Sequence, residues 1–210
     1  MKLIYAITVS TEQDEVIRLI EFIKSNCDDD IIVQIDSKKG SEQLFENIAK
    51  LTYKVYTTEF KNDFSDFKNQ LNYVCVLYNA DFIVQLDADE MVTEKFVRNI
   101  KEIIEANKDN TELIYLPRIN KVEGITREHI VKWNWNIDPF GRINYPDFQG
   151  RVYKSNLKWI NKIHERIDCP KDKIAYLDDV DYAILHYKTI ERQEQQNTFY
   201  EKIFSSDINN

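Results

Sequence analysis

Strand-like and helix-like apolar patterns alternate through residues 1–116, and no other feature restricts the fold as much. Leu3 to Val9 is an apolar run that closes in small polar residues, with Ser10 or Thr11 expected to cap a helix. Val16, Leu19, Ile20 and Ile23 then recur at helical spacing. Ile31 to Ile35 is a second run, ending in Asp36. Leu44, Phe45, Ile48 and Leu51 predict another helix, followed by a short strand around Tyr53 to Tyr56. Phe67, Leu71, Val74 and Tyr78 form the next helical stripe and lead into a strand over Phe82 to Leu86. Phe96, Val97, Ile100, Ile103 and Ile104 share a further helix face, and Leu113 to Leu116 reads as a strand. This alternation predicts an α/β fold: a doubly wound, mainly parallel sheet with helices on both faces. Right-handed crossovers then bring Thr8, Ser10, Asp36 and Asp87 to one rim, where open sheets of this kind bind ligands.

After Leu116 the texture changes. Trp133, Trp135, Phe140, Tyr145 and Phe148 occur among Pro117, Pro139, Pro146, Gly124 and Gly141, which predicts long loops over 117–150. Exposed aromatics in such loops can stack on sugar faces, but half-buried core packing is the more common use. Gly150 to Lys154 and Leu157 to Ile160 predict a hairpin, Tyr182 to Tyr187 a strand, and the chain from Thr189 a polar, Gln-rich helix. The expectation is a smaller mixed C-terminal part within one domain, without internal repeats.

The most informative local stretch is Ala80-Asp81-Phe82-Ile83-Val84-Gln85-Leu86-Asp87-Ala88-Asp89-Glu90, an apolar strand that stops in carboxylates. Strand alternation would put Asp87 and Asp89 on one side. Two such carboxylates repel each other and invite a hard divalent cation, Mn²⁺ or Mg²⁺, which takes one or two carboxylates together with phosphate oxygens. An acidic turn capping the next helix would use the same residues, and both possibilities stay open.

Composition excludes several classes. The net charge of −8 argues against general nucleic-acid binding, which rests on basic residues neutralising phosphates. With 43% hydrophobic and 12% aromatic residues, the chain can bury a large core. Cys27, Cys75 and Cys169 are too scattered for a zinc site or a disulfide framework and suggest reduced thiols. No apolar stretch approaches a membrane span, and Met1 to Ile7 is too short for a signal peptide. A soluble, cytoplasmic protein is expected, at most peripheral to a membrane.

No Gly-rich phosphate loop, dinucleotide fingerprint or Gly-x-Ser-x-Gly elbow occurs. The remaining chemistry lies in Lys162-Ile163-His164-Glu165-Arg166 and in His186. Glu165 can act as a general base if a substrate hydroxyl comes within hydrogen-bonding reach, and a partly dry pocket beside Trp159 would raise its pKa for that role. An exposed, salt-bridged strand end is the plainer alternative. His186 closes an apolar strand, a place for a metal ligand, a phosphate contact or simple packing.

Taken together, these stretches resemble a family-2-type glycosyltransferase with a GT-A fold, of the small soluble type that builds surface polysaccharides. The resemblance runs through Asn62-Asp63-Phe64-Ser65-Asp66-Phe67-Lys68-Asn69, the Asp81 to Glu90 stretch, Pro146-Asp147-Phe148-Gln149-Gly150-Arg151-Val152-Tyr153, Trp159 to Arg166, and His186-Tyr187. It implies one domain, with residues 1–116 holding the nucleotide-sugar and 117–210 facing the acceptor. It also implies that the Asp-x-Asp binds metal and diphosphate, with Asp89 the main ligand and Asp87 its partner, and that Thr8, Ser10 and Asp36 line the base and ribose. Lys68 stands where the family usually has Arg, only His164-Glu165 matches the base region, and Asp36-Ser37-Lys38-Lys39-Gly40 is shorter and more basic than usual.

The implied reaction moves a sugar from a nucleoside-diphosphate sugar, a UDP-sugar first, to a glycan or lipid-linked hydroxyl acceptor with inversion. Lys68 or Arg151 would add charge near the phosphates, His186 would serve the metal, and Glu165 would take the proton, with Asp147 next in line. Two rivals remain. A HAD-type phosphohydrolase would use Asp87 and Asp89 as nucleophile and acid, although that pair belongs on a first strand. A sugar- or nucleotide-binding module would bind without turnover.

Overall fold

The two-faced character of the first strand organises the chain. In the computed structural model, residues 1–52 and 54–207 are described, with side chains through residue 202. β1 (Leu3–Val9) is buried at every position, as a central parallel strand must be when both faces are covered. After it come α1 (Gln13–Asn26), β2 (Asp30–Asp36), α2 (Glu42–Ala49), β3 (Val55–Thr58), α3 (Phe64–Leu77) and β4 (Phe82–Asp87). Then follow β5 (Glu90–Met91), α4 (Glu94–Asn107) and β6 (Leu113–Leu116). Leu3, Tyr5, Ile7 and Val9 pack with the apolar stripes of α1, α2 and α4. Ile4 and Ala6 face the other way, toward Leu71 and Cys75 of α3. The sheet is therefore wound on both faces, as the alternation predicts.

Local chemistry sets several helix starts. Ser41, Asp63 and Thr93 accept the N–H groups of Leu44, Asp66 and Phe96 and so cap α2, α3 and α4. The expected cap at Ser10 or Thr11 is absent. Glu12 occupies that position, and its carboxylate accepts from the N–H groups of Ser10 and Thr11 instead. Of the strand expected around Tyr53 to Tyr56, Tyr53 lies outside the described residues, and β3 begins at Val55.

The second half contributes β7 (Arg118–Glu123), α5 (Arg127–Lys132), β8 (Gln149–Lys154), β9 (Lys158–Ile160), β10 (Arg166–Asp168), β11 (Ile174–Tyr176), β12 (Ile184–Thr189) and α6 (Ile190–Asp207). The main sheet has seven strands in the order β11-β6-β8-β4-β1-β2-β3. All its pairs are parallel except the two made by β8, which runs antiparallel between β4 and β6. The expected β8–β9 hairpin does not form: β8 joins the main sheet and β9 pairs with β10. The 117–150 stretch is likewise not all loop, since β7 and α5 lie within it. β7 gains its partner from far along the chain, pairing parallel with β12, whose other edge holds β5 antiparallel. The strand expected from Tyr182 begins at Ile184, after a short 3-10 turn. Among the described residues, no helix is long and apolar enough to cross a membrane.

Candidate functional site

A cleft of about 1010 Å³ opens where β1, β2 and β4 end, roofed by the small β5-β12-β7 sheet and α6. The acidic stretch after β4 divides there into separate tasks. β4 stops at Asp87, the chain turns through Ala88 and Asp89, and Glu90 enters β5. Because the extended form does not continue, Asp87 and Asp89 meet different partners rather than each other.

Asp87 accepts from Thr8 Oγ1 at 2.8 Å, from Lys68 Nζ at 3.3 Å and from Arg151 Nη2 at 3.0 Å. Burial pushes its carboxyl up, but the charges of Lys68 and Arg151 and the hydrogen bonds of Thr8 and Lys68 outweigh that and hold it well below the usual carboxylate range. Glu90 is fully buried and takes two bonds from Arg151, at 3.0 and 2.7 Å, with Arg118 at 3.3 Å. Its Oε2 also accepts the Asp87 N–H at 3.1 Å, which fixes the strand end. Arg151 is thus committed to Glu90 and Asp87 beneath the cleft. Lys68, 2% exposed and 4.7 Å above the Trp159 ring, links Asp87 to Glu165.

Asp89 faces His186. Their Oδ2 and Nε2 atoms lie 3.3 Å apart, and Arg192 Nη2 stands 3.6 Å from the same oxygen. Burial raises the Asp89 carboxyl, yet the His186 hydrogen bond and charge, with Lys188, bring it down to about 2. The tautomer of His186 follows from its neighbours. Asn120 Nδ2 donates to Asp147 Oδ2 at 2.7 Å, so Asn120 Oδ1 must accept from His186 Nδ1, also at 2.7 Å. With Nδ1 so engaged, Nε2 is the ring atom directed at Asp89: it donates to the carboxylate when the ring carries both protons, and it offers a lone pair to a shared cation when it does not, a role that Nδ1 donation to an amide oxygen typically supports. Among the described residues no group of three or more His, Cys, Asp or Glu gathers for a metal. Asp89 and His186 are two donors, which fits Mn²⁺ or Mg²⁺ completed by water and phosphate oxygens.

Glu165 is not in an apolar pocket. Its Oε1 accepts from Lys68 at 2.7 Å, while Oε2 makes no hydrogen bond among the described residues and the group borders the cleft. Asp147, also on the cleft wall, is more fully engaged. Arg118 donates to it twice, at 2.9 and 2.7 Å, and Asn120 and Gln149 add bonds. Burial raises its pKa, but the Arg118 charge and these donors outweigh that and hold it below the ordinary value.

At the other end of the cleft, Asp36 Oδ1 accepts the N–H groups of Lys38 and Phe60, at 3.1 and 3.2 Å, and shapes the turn after β2. A side chain at Gly40 would collide with Ile35, so only glycine lets this turn lie against the strand. Ser10 and Thr8 border the same space, as do Phe60, Phe64 and Phe199, whose rings pack 4.7 to 6.4 Å apart. The predicted site residues, with His164 beside Glu165, therefore all border one cleft.

Sequence reasoning missed Arg118, Asn120, Lys188 and Arg192. Lys188 carried a usable signal: it stands two residues after His186, hence on the same face of β12. It donates to Gln196 at 2.6 Å. Burial lowers its ammonium below the ordinary range; Asp89 opposes this, and Arg118 and Arg192 add to the lowering. Arg192, in the first turn of α6, donates to Glu12 at 2.6 Å and Glu15 at 3.3 Å.

No protein-family profile and no curated protein matches this sequence. Solved structures do resemble its fold. TarS of S. aureus superposes with a TM-score of 0.56 at 10% identity, covering 90% of this chain and 37% of TarS. Its 1–349 fragment in complex with UDP-GlcNAc gives 0.55 at 12% identity, over 90% of this chain and 59% of the fragment. The same fragment with UDP gives 0.55 at 10%, covering 61% of the fragment. This chain thus spans from over a third to about three fifths of those chains, and the likeness establishes a GT-A-like fold.

Proposed function

We propose that the protein is a metal-dependent, inverting glycosyltransferase that moves a sugar from a nucleoside-diphosphate sugar, a UDP-sugar first, to a hydroxyl on a glycan or lipid-linked acceptor. The observation that carries this is the pairing of Asp89 with His186 beside Asp87, at the carboxyl end of β4 and facing a cleft of nucleotide-sugar size. The shared fold with TarS, which was crystallised with UDP-GlcNAc and with UDP, supports it.

Each residue then has a physical task. Thr8, Ser10 and Asp36 border the space for base and ribose. Asp89 and His186 would hold Mn²⁺ or Mg²⁺, which supplies Lewis-acid charge against the leaving diphosphate. Asp87, fixed by Thr8, Lys68 and Arg151, positions the strand end and stays ionised. Glu165 keeps one oxygen for the acceptor hydroxyl proton while Lys68 orients the other. Inversion follows from in-line attack by that hydroxyl on the anomeric carbon. A phosphohydrolase using Asp87 as nucleophile is disfavoured, because this carboxylate is bonded to Lys68 and Arg151 and lies on the fourth strand.

The direct test offers UDP-sugars with Mn²⁺ and simple sugar acceptors and measures UDP release with and without acceptor. Acceptor-stimulated release supports the proposal. Phosphate release from nucleotide-free phosphoesters, without sugar transfer, would replace it with a hydrolase.

A further inference from the structure

The basic side chains around the cleft differ in whether an acid answers them. Lys68 is matched by Asp87 and Glu165, Arg151 by Glu90 and Asp87, Arg118 by Asp147 and Glu90, and Arg192 by Glu12 and Glu15. Lys39, Lys121 and Arg166 also border the cleft without an acidic partner among the described residues, but they are exposed to water; of the bases withdrawn from water, Lys188 is the exception. It is half-buried, makes no ion pair among the described residues, and donates only to Gln196. An ammonium has three N–H donors, so two are left without a partner among the described residues. Asp89 acts on it only from beyond ion-pair distance, and holding a cation in partial burial without a bonded counter-charge is costly.

Its placement indicates what would repay that cost. Strand alternation puts His186 and Lys188 on one face of β12, and both border the cleft. Arg192 enters the same space from α6, 3.6 Å from Asp89. Two bases thus stand near the Asp89–His186 pair. Resting on the nucleotide-sugar proposal above, we infer that Lys188, assisted by Arg192, binds the diphosphate of the donor. The ligand class is a diphosphate ester, and Lys188 is a binding residue rather than a proton carrier. Lys68 and Arg151, the bases first expected at the phosphates, are held by internal carboxylates instead.

The test is calorimetric titration of UDP, uridine and inorganic pyrophosphate, without metal and in the presence of a chelator. It compares wild type with Lys188→Met and Lys188→Arg. Loss of one charge-assisted contact should weaken UDP and pyrophosphate by about tenfold to a hundredfold in Lys188→Met. Lys188→Arg should restore most of this, and the affinity for uridine should not change. Thermal unfolding supplies the second readout, because a lysine without an acidic partner should be replaced by Met with no loss of Tm. Equal UDP binding by wild type and Lys188→Met overturns the inference and leaves the proposed function standing. A lower Tm with unchanged binding also overturns it, as does a wild type that binds neither UDP nor pyrophosphate. Lysine-dependent pyrophosphate binding with no preference for UDP supports the inference and counts against the nucleotide-sugar proposal.

Discussion

Asp89 and Glu165 each have something left to offer a ligand, whereas Asp87 and Glu90 are saturated by neighbours. Asp89→Asn keeps the shape but removes the charge that a cation needs. It should abolish the part of UDP stabilisation that depends on Mn²⁺, and a full metal-dependent shift in this variant would exclude Asp89 as a ligand. Glu165→Gln keeps the size and a hydrogen bond to Lys68 but cannot take a proton. Nucleotide binding should persist while sugar transfer falls by roughly a hundredfold or more; near-normal turnover with a confirmed acceptor would move the base elsewhere. Asp147 sets a pH dependence of stability. Its folded pKa lies below the ordinary value, so its contribution is present above about pH 4 and is lost as the pH falls through the folded value. The gap in unfolding free energy between wild type and Asp147→Asn should therefore narrow on acidification below about pH 4; a constant gap would show that the Arg118 contact carries no such linkage. Asp87, Asp89 and Glu165 could be found in the sequence because each follows an apolar strand. Their partners could not, since Lys68 lies 97 residues from Glu165, and His186 lies 97 from Asp89. Only the fold brings such distant charges together.

The elements of the first half were legible because each is short, locally periodic and joined to its neighbour by a crossover. β8 was not, because its sequence position beside β9 suggests a hairpin while its place is between β4 and β6. What holds it there is partly ionic. Arg151 on β8 reaches Glu90 on β5 and Asp87 at the end of β4, tying the inserted strand to the site. Glu90 is 0% exposed, so removing it strands a buried guanidinium. Glu90→Ala should cost about 3–5 kcal/mol in denaturant unfolding. A loss below about 1 kcal/mol would mean that Asp87 alone satisfies Arg151. β12 was expected, from Tyr182 to Tyr187, but β7 and its pairing with β12 were not legible for a related reason: the two meet as a parallel pair from residues 118–123 and 184–189. The small sheet they form with β5 is nevertheless what carries His186 across to Asp89.

At the scale of the whole molecule, the proposed function asks an acidic protein to hold an anionic donor. The net charge is −8, yet Lys39, Lys68, Arg118, Lys188 and Arg192 all border one cleft. Attraction is therefore local, acting within the cleft and across short distances that salt screens poorly. Ligand binding to the folded state alone raises its stability by mass action, by about 2.7 kcal/mol at a hundredfold excess over Kd. For a chain of this size that corresponds to a rise in Tm of about 5–10 °C. A thermal-shift panel of UDP, GDP, dTDP and CMP, each with and without Mn²⁺, reads this directly. UDP with Mn²⁺ should give the largest rise, with the diphosphates above CMP because, on the proposed reading, two phosphates would meet both a cation and Lys188. Asp36→Ala should reduce the rise with UDP but keep its dependence on Mn²⁺, since the turn after β2 lies at the far end from Asp89. Equal shifts from all four nucleotides would mean that the Thr8, Ser10 and Asp36 end does not distinguish bases. No shift from any of them, in protein shown to be folded, would remove the nucleotide-sugar donor altogether.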